Sequence, residues 1–502
     1  MMLSQCLGNQ TTYTISKRLE ILGCKGAKSG TKPALANKYW QHIQDNVGDI
    51  WQSLDEIEQN YIAEYITNKQ VDNFKFKHKY GRSLLSQVKA QYYYSDFGAL
   101  SCLFFDGYFP EELQALFKPY IQKPRAYALE VTPQKDIPAE IHIKETAINA
   151  IKELQLVLKG LMQYKARVGD KTKLPTDATI SKIEALFEAP EYYNGSRIQA
   201  SVGSIKAFSW VLMLQVSRYL KKTGSSLDVT PKGIKSFKDK PQDVVQSIWN
   251  DWIYSKQFDE IKRITNLKGQ GSKAAKNNFT DVSVRRQIIH QCLQSLPANE
   301  WISVESLFKH AVLNDYIFDV TKNHGTGLYY ANPQSASIQD YRYTWAVLEE
   351  PYFLCVLFEY AATLGLIDVG YQSPRGVRTD KVSDWVDFDE GFVSRYDGLR
   401  YIRINALGAY VLGIDQAFNV SLPEGNIIIN EQNRVSYSAG IIPVEIEETL
   451  NQFAENHSSD EWTLSEASII DAIRAGAKFT DLKNLFKREK VTLPENTKNY
   501  CH

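Results

Sequence analysis

Asp243, Glu260 and Lys262 are the residues whose types come nearest to a reaction, because two acids and a lysine can hold a divalent metal and position a water. Such a site carries its second acid and its lysine on a strand. Here "DVVQSIWNDWIYSKQFDEIKRI" reads as continuously helical, with Val244, Ile248, Trp252 and Ile253 near one face. A packed helix fits that stretch better than a metal-dependent nuclease. "LKGQGSKAAKNN" (267–278) lacks both the GxxxxGK[ST] spacing and a preceding strand, so it reads as a flexible basic loop. His142 and Glu145 lie beside a linker and read as surface residues. Cys6, Cys24, Cys102, Cys292, Cys355 and Cys501 are scattered without metal-ligand spacing, which argues against a zinc knuckle or a disulfide framework. No catalytic residue, metal site, cofactor or small-molecule substrate is expected.

The basic residues are better organised. One group is Lys232, Lys235 and Lys238 in "PKGIKSFKDK", and a second is Lys262, Arg263, Lys268, Lys273 and Lys276. A third, Lys165, Arg167, Lys171 and Lys173, surrounds Gly169 and reads as a wing or hairpin tip. Each group has a bland alternative as a solvated face. The whole chain balances 58 basic against 58 acidic residues, so it is not built to coat nucleic acid indiscriminately, and only local patches stay open.

These groups need elements to position them. At 502 residues the chain is too long for one core, and three or four domains are expected. No stretch approaches the roughly 20 apolar residues of a membrane span, and the N-terminus lacks the pattern of a secretory signal, so a cytoplasmic protein is expected. Residues 1–123 read as helical: Leu19 and Leu22 share one face, a Gly/Lys/Ser/Thr turn follows, and Leu35 resumes a second short helix. Pro110 with Glu111 and Glu112 marks a further helix start. Three prolines make 124–140 a linker.

Beyond the linker, "LDVTPKGIKSF" and "IRINALGAYVL" share one design: a short strand, Thr230 or Asn405 as N-cap, then a helix with Gly233 or Gly408 in its first turn. Each follows an apolar helix, "AFSWVLMLQVSRYL" ending near Gly224 and "PYFLCVLFEYAATL" ending at Gly365. This is the tail of a winged-helix unit, so two are expected, over 141–290 and 291–420. Residues 421–502 read as a small α/β unit. The expected fold class is mainly α with small β elements, α+β overall.

In the last segment, Thr463 with Glu466 reads as a capping box, and Leu464, Ala467, Ile470 and Ile473 as an inward stripe. Gly476 supplies a left-handed stop, Phe479, Leu482, Leu485 and Phe486 pack a second helix, and Pro494 ends it. With Ile428–Ile429, Pro443, Trp462, Leu464–Ser465, Ala475–Gly476 and Leu493–Pro494–Asn496 in this order, residues 425–496 resemble the N-terminal domain of the XPB/Ssl2 helicase family as it occurs in bacterial helicase-associated proteins. "NEQNRVSYSAG" departs from the family's tidier strand-to-acidic turn. "LEILGCKGAKSGTKPAL" resembles, more loosely, a SAP-type DNA-binding hairpin. No helicase motor accompanies the resemblance, which implies an accessory protein that docks double-stranded DNA, a helicase/ATPase or other DNA-processing partner, or both, in a setting such as phage defence. Lys483, Lys487, Arg488 and Lys490 form the face expected to meet that partner. The alternatives are a protein–protein adaptor without DNA binding and, third, the metal-dependent nuclease.

Overall fold

Leu19, Leu35, Tyr39 and Ile43 recur at helical spacing, and all are buried where helix Thr12–Ile21 packs on helix Lys32–Ser53. The second helix runs for 22 residues rather than being short, because Pro33 at its start is pre-set for helix and nothing breaks the chain before a bend at Asn46. Arg18 staples this pair to the next segment: its Nη1 donates to the carbonyls of Ser101 (2.7 Å), Cys102 (2.8 Å) and Phe104 (2.9 Å). Lys32 donates to the Gly8 carbonyl (2.5 Å) and Lys38 to that of Gly26 (2.7 Å), so each lysine ties the second helix back to an earlier segment. Helix Glu111–Phe117 begins after Pro110 as expected.

The structure is a computed structural model describing residues 1–27, 30–89, 97–122, 126–194, 196, 203–330, 337–338, 344–382, 391–418, 425–438, 442–457 and 461–501. These form two units, 1–130 with 306–316, and 131–305 with 317–502. The 306–316 segment is held in the first unit by ion pairs Lys309–Glu130 (3.3 Å) and Lys75–Asp315 (2.6 Å).

The second unit contains one arrangement twice. The first copy runs through helix Ala147–Gln163, strand Ala166–Arg167, helices Asp177–Glu184 and Lys206–Val216, then strands Leu220–Thr223 and Ser226–Val229. The second runs through helix Val282–Gln294, strand Trp301–Ser303, helix Val304–Leu313 (whose residues from Ser306 on count with the first unit), a helical run over 345–361, then strands Ile367–Tyr371 and Leu399–Ile404. In both, the third strand lies between the first and second in an antiparallel sheet. The second sheet gains an edge strand, His142–Lys144, paired to Ile367–Tyr371. Helix Val282–Gln294 runs through the expected 290/291 boundary, and the edge strand joins residues 142–144 to the second copy, a pairing too distant in sequence for periodicity to register.

The joint after the third helix is the same in both copies. Arg218 (φ 65°) and Gly365 (φ 77°) turn left-handed, and the next amide, Tyr219 or Leu366, donates back to Leu214 or Ala361 (2.9 Å each). The first apolar helix therefore ends at Val216 and not near Gly224, since "SRYL" leaves it through this turn. Thr230 Oγ1 then accepts from the Gly233 amide (3.1 Å) and Asn405 Oδ1 from that of Gly408 (3.0 Å), as the N-cap pattern predicts. A Cβ at Gly233 would stand 2.7 Å from the Tyr219 carbonyl oxygen, and one at Gly408 1.8 Å from that of Leu366, so the close approach admits only glycine. Tyr219 to Thr230 spans 11 positions and Leu366 to Asn405 spans 39, which makes the second segment longer by 28 residues.

The C-terminal segment builds its own core on a four-stranded antiparallel sheet, with Phe453, Trp462, Leu482, Leu485 and Phe486 buried. Several local expectations are corrected here. Ile427 and Ile429 face inward and Ile428 outward, because alternate strand residues point to opposite faces. Thr463 ends a strand, so the cap is Ser465, exchanging hydrogen bonds with Ser468. Helix Glu466–Arg474 consequently buries Ile469 and Ala472 and leaves Ile470 and Ile473 exposed. Gly476 does turn left-handed (φ 98°), and helix Phe479–Arg488 stops before Pro494, which precedes a further helix, Glu495–Cys501. Among the described residues no helix is long and apolar enough to cross a membrane.

Candidate functional site

Strand Ala166–Arg167 and the loop after it carry Lys165, Arg167, Lys171 and Lys173, all exposed. The loop closes as a hairpin tip around Gly169, as expected, with Val168 paired antiparallel to Pro175 and the Gly169 amide donating to Leu174 O (2.9 Å). Its base is zipped by the Val168 amide donating to Ser225 O (2.9 Å) and the Lys173 amide to Gly169 O (2.9 Å), and it leads into helix Asp177–Glu184. A second, tighter hairpin is Thr223–Ser226, and Lys222 from it donates to Asp170 O (2.9 Å). The structure thus adds Lys222 to this group, a residue that strand pairing alone brings near.

The second group is more divided. Lys232 donates to Ser217 O (2.9 Å), pairs with Asp251 (3.2 Å) and lies 4.4 Å from the Tyr219 ring centre, so it struts the joint below the third helix. Lys235 is exposed, and Lys238 pairs with Glu445 (3.1 Å). Lys262 is exposed, but its neighbour Arg263 turns inward to Glu359 (2.7 Å) and to Ser204 O (2.8 Å), which takes it away from a surface that duplex DNA could reach. Lys268 bonds Thr265 O (3.0 Å), while Lys273 and Lys276 are exposed on the short helix Lys273–Asn278. That segment is a strand, turn and helix rather than a loop: Leu267–Lys268 pairs with Tyr329–Tyr330, and Gly269 packs on the Gly327 carbonyl.

On the C-terminal helix, Lys483, Lys487, Arg488 and Lys490 all face solvent, opposite the buried Leu482, Leu485 and Phe486. Arg488 pairs with Glu489 (2.8 Å) and stands 3.6 Å from Glu445, the carboxylate that also takes Lys238. One acid therefore links the C-terminal basic face to the helix–cap segment of the first copy.

The decisive geometry concerns the third helices. Every residue of Lys206–Val216 except Gln215 is buried, and so is the run 345–361 except Ala346. They meet each other: Ser209 Oγ donates to Glu359 O (2.6 Å). A helix apolar on all sides has no face to spare for solvent, and "AFSWVLMLQV" carried that signal in the sequence.

The nuclease triad is not assembled. The stretch 241–263 breaks between helix Pro241–Ile253 and a single turn Glu260–Arg263, so it is not one continuous helix. Glu260 is fully buried and saturated by Arg286 (3.0 and 2.5 Å) and the Tyr352 hydroxyl (2.6 Å), leaving no oxygen for a metal. Asp243, in the first turn of the helix, accepts from Tyr410 (2.6 Å). Among the described residues no group of three His, Cys, Asp or Glu is placed to hold a metal ion. His142 lies on the edge strand and Glu145 pairs with Arg403 (3.1 Å). No family model matches this chain, and neither does any curated protein.

Proposed function

We propose that this chain is a non-catalytic, cytoplasmic accessory protein whose two repeated units are winged helices used as scaffold, and whose C-terminal unit docks a helicase/ATPase or other DNA-processing protein. The observation that carries this is the burial of both third helices against one another. In a DNA-reading winged helix that element lies in the major groove and presents side chains to base edges. Here it is spent on the protein's own core, which favours docking over reading sequence. The resemblance of 425–496 to a helicase-associated domain points the same way, and the exposed Lys483, Lys487 and Lys490, with Ile470 and Ile473 exposed on the preceding helix, supply basic and apolar groups for a contact. The tagged full chain should co-purify with an ATPase from its native cells. Reversing Lys483, Lys487 and Lys490 to Glu should release that ATPase, whereas reversing Lys171 and Lys173 should not. An ATPase that never co-purifies, or that ignores the reversals, removes the reading.

A second reading is favoured by one observation, the gathering of Lys165, Arg167, Lys171, Lys173 and Lys222 around a tight hairpin. Such an edge can touch duplex phosphates without reading bases. Binding should then be insensitive to DNA sequence and fall steeply with salt, with a log–log slope of about −0.9 per phosphate contacted. A gel-shift series without any complex at low salt removes it.

A further inference from the structure

Five arginines are buried among the described residues, and four of them are paired. Arg18 donates to three carbonyls, Arg285 pairs with Asp259 (2.6 Å), Arg286 with Glu260 (2.5 Å) and Arg378 with Glu350. Arg395 is the exception. It is only 9% exposed, its Nε has no partner, and its guanidinium makes no hydrogen bond or ion pair to any described side chain. Arginine cannot shed its proton, so this charge needs an anion to offset its burial.

The residue is held firmly in place. Asp397 accepts from the Val393 amide (2.8 Å), the Ser394 amide (3.0 Å) and Ser394 Oγ (2.7 Å), closing a buried turn around it. The Arg395 carbonyl accepts from the Tyr193 hydroxyl (3.1 Å), and the Gln372 amide donates to Gly398 O (2.9 Å) at the base of the long connection. From this turn Arg395 lines a cavity of about 680 Å³, together with Arg263, Gly203 and Ser204.

The acids nearby are already committed or stand on other parts of the wall. Glu359 is taken by Arg263 and the Tyr396 hydroxyl. Glu191 accepts from Ser204 Oγ (3.0 Å) and from the Lys206 (3.1 Å) and Ala207 (2.9 Å) amides at a helix start. Asp177 and Glu184 also line the cavity, so its wall is of mixed sign. Burial, and next the neighbouring Arg263, press the Arg395 pKa below the usual arginine range, the mark of a cation short of counter-charge.

We propose that Arg395 anchors an anion site, and that this cavity takes a small ligand through a phosphoryl or carboxylate group paired with its guanidinium. The planar fork suits two parallel bonds to either head group. Asp177 and Glu184 then favour a ligand whose remaining atoms carry hydrogen-bond donors. The volume falls in the range of small-molecule sites.

Thermal unfolding of the full chain in inorganic phosphate, in acetate and in chloride at matched ionic strength tests this. The melting temperature should climb with the logarithm of phosphate or acetate concentration and stay flat in chloride, and the more effective anion names the head group. Arg395→Met should melt at or above wild type in chloride, because it removes an uncompensated charge, and should lose the anion response. Arg395→Lys, which keeps the charge and loses the fork, should keep a response several-fold weaker. The proposal is overturned if wild type responds to neither anion, if only duplex DNA raises its melting temperature, or if Arg395→Met melts far below wild type in chloride as Arg286→Met should.

Discussion

The two repeats of the second unit share a joint and differ in the connection between their last two strands. In the first copy that connection is a tight hairpin at Gly224 that carries Lys222 toward solvent and the basic loop. In the second it runs over 372–398, 27 residues against two, and its return limb, Val393–Gly398, is buried in the unit's core. One scaffold thus carries two outcomes: a short hairpin at the surface, and a long connection whose return limb folds inward to line a cavity. The joint is kept because the strand–helix crossing leaves no room for a Cβ. The connection varies because its ends are fixed by the sheet and its length is not.

The shared joint is the place to break both copies, and the expected effect is the largest. Gly408→Ala puts a Cβ 1.8 Å from a carbonyl oxygen and should cost about 3 kcal/mol or more, while Gly233→Ala, at 2.7 Å, should cost less, about 1–3 kcal/mol. Denaturant melts of the two variants measure the difference, and equal losses would mean that the two joints are equally tight.

The next effect separates the copies by pH. Glu349 on the second third helix is buried, with Oε1 accepting from the Val320 amide (3.0 Å) and Oε2 unpartnered. Burial lifts its carboxyl from 4.5 to about 7. A raised acid stabilises the fold fully below the unfolded pKa and loses that contribution as pH climbs through the folded value. Stability should therefore fall between about pH 4.5 and 7, by roughly 3 kcal/mol at most from this group. Glu349→Gln should flatten much of that slope, leaving the share of Asp397, which burial raises to about 6 and which titrates with the same sign. Helix Lys206–Val216 holds no acid, so substitutions within it that spare Lys206 and Trp210, the partners of buried Glu153, should leave the slope unchanged.

A smaller contrast lies in the caps. Thr230→Ala should cost about 0.5–1 kcal/mol. Asn405→Ala should cost more, about 2 kcal/mol, because Nδ2 of Asn405 also donates to buried Asp368 (2.9 Å). Smallest of all, Lys171→Ala with Lys173→Ala should leave stability within about 0.5 kcal/mol while reducing the salt slope of any DNA binding by one to two units, read by titration at several salt concentrations.

Local pattern made much of this legible. The repeated cap and glycine at Thr230–Gly233 and Asn405–Gly408, the stop at Gly476 and the apolar face of helix Phe479–Arg488 all follow from residue types a few positions apart. Burial of helix Lys206–Val216 was legible too, in its largely apolar sequence, whereas the run 345–361 also buries Glu349, Glu350 and Glu359, which residue type alone would place outside. Arg263 and Arg395 were not: both are arginines in polar stretches, and only the packing of distant segments decides that one meets Glu359 and the other meets none. Ile470 and Ile473 misread because the N-cap falls at Ser465, two residues later than a capping box at Thr463 would place it. A shift of that size is enough to turn an inward residue outward.

The edge strand His142–Lys144 has a consequence for assembly. It emerges from synthesis before the entire first repeat, yet its partner, Ile367–Tyr371, follows more than two hundred residues later. The first repeat is therefore threaded as an insertion inside the sheet of the second. That sheet can close only after its inserted neighbour has been made, which sets a vectorial order for folding on the ribosome and leaves a bare strand edge for a chaperone to guard in the interval.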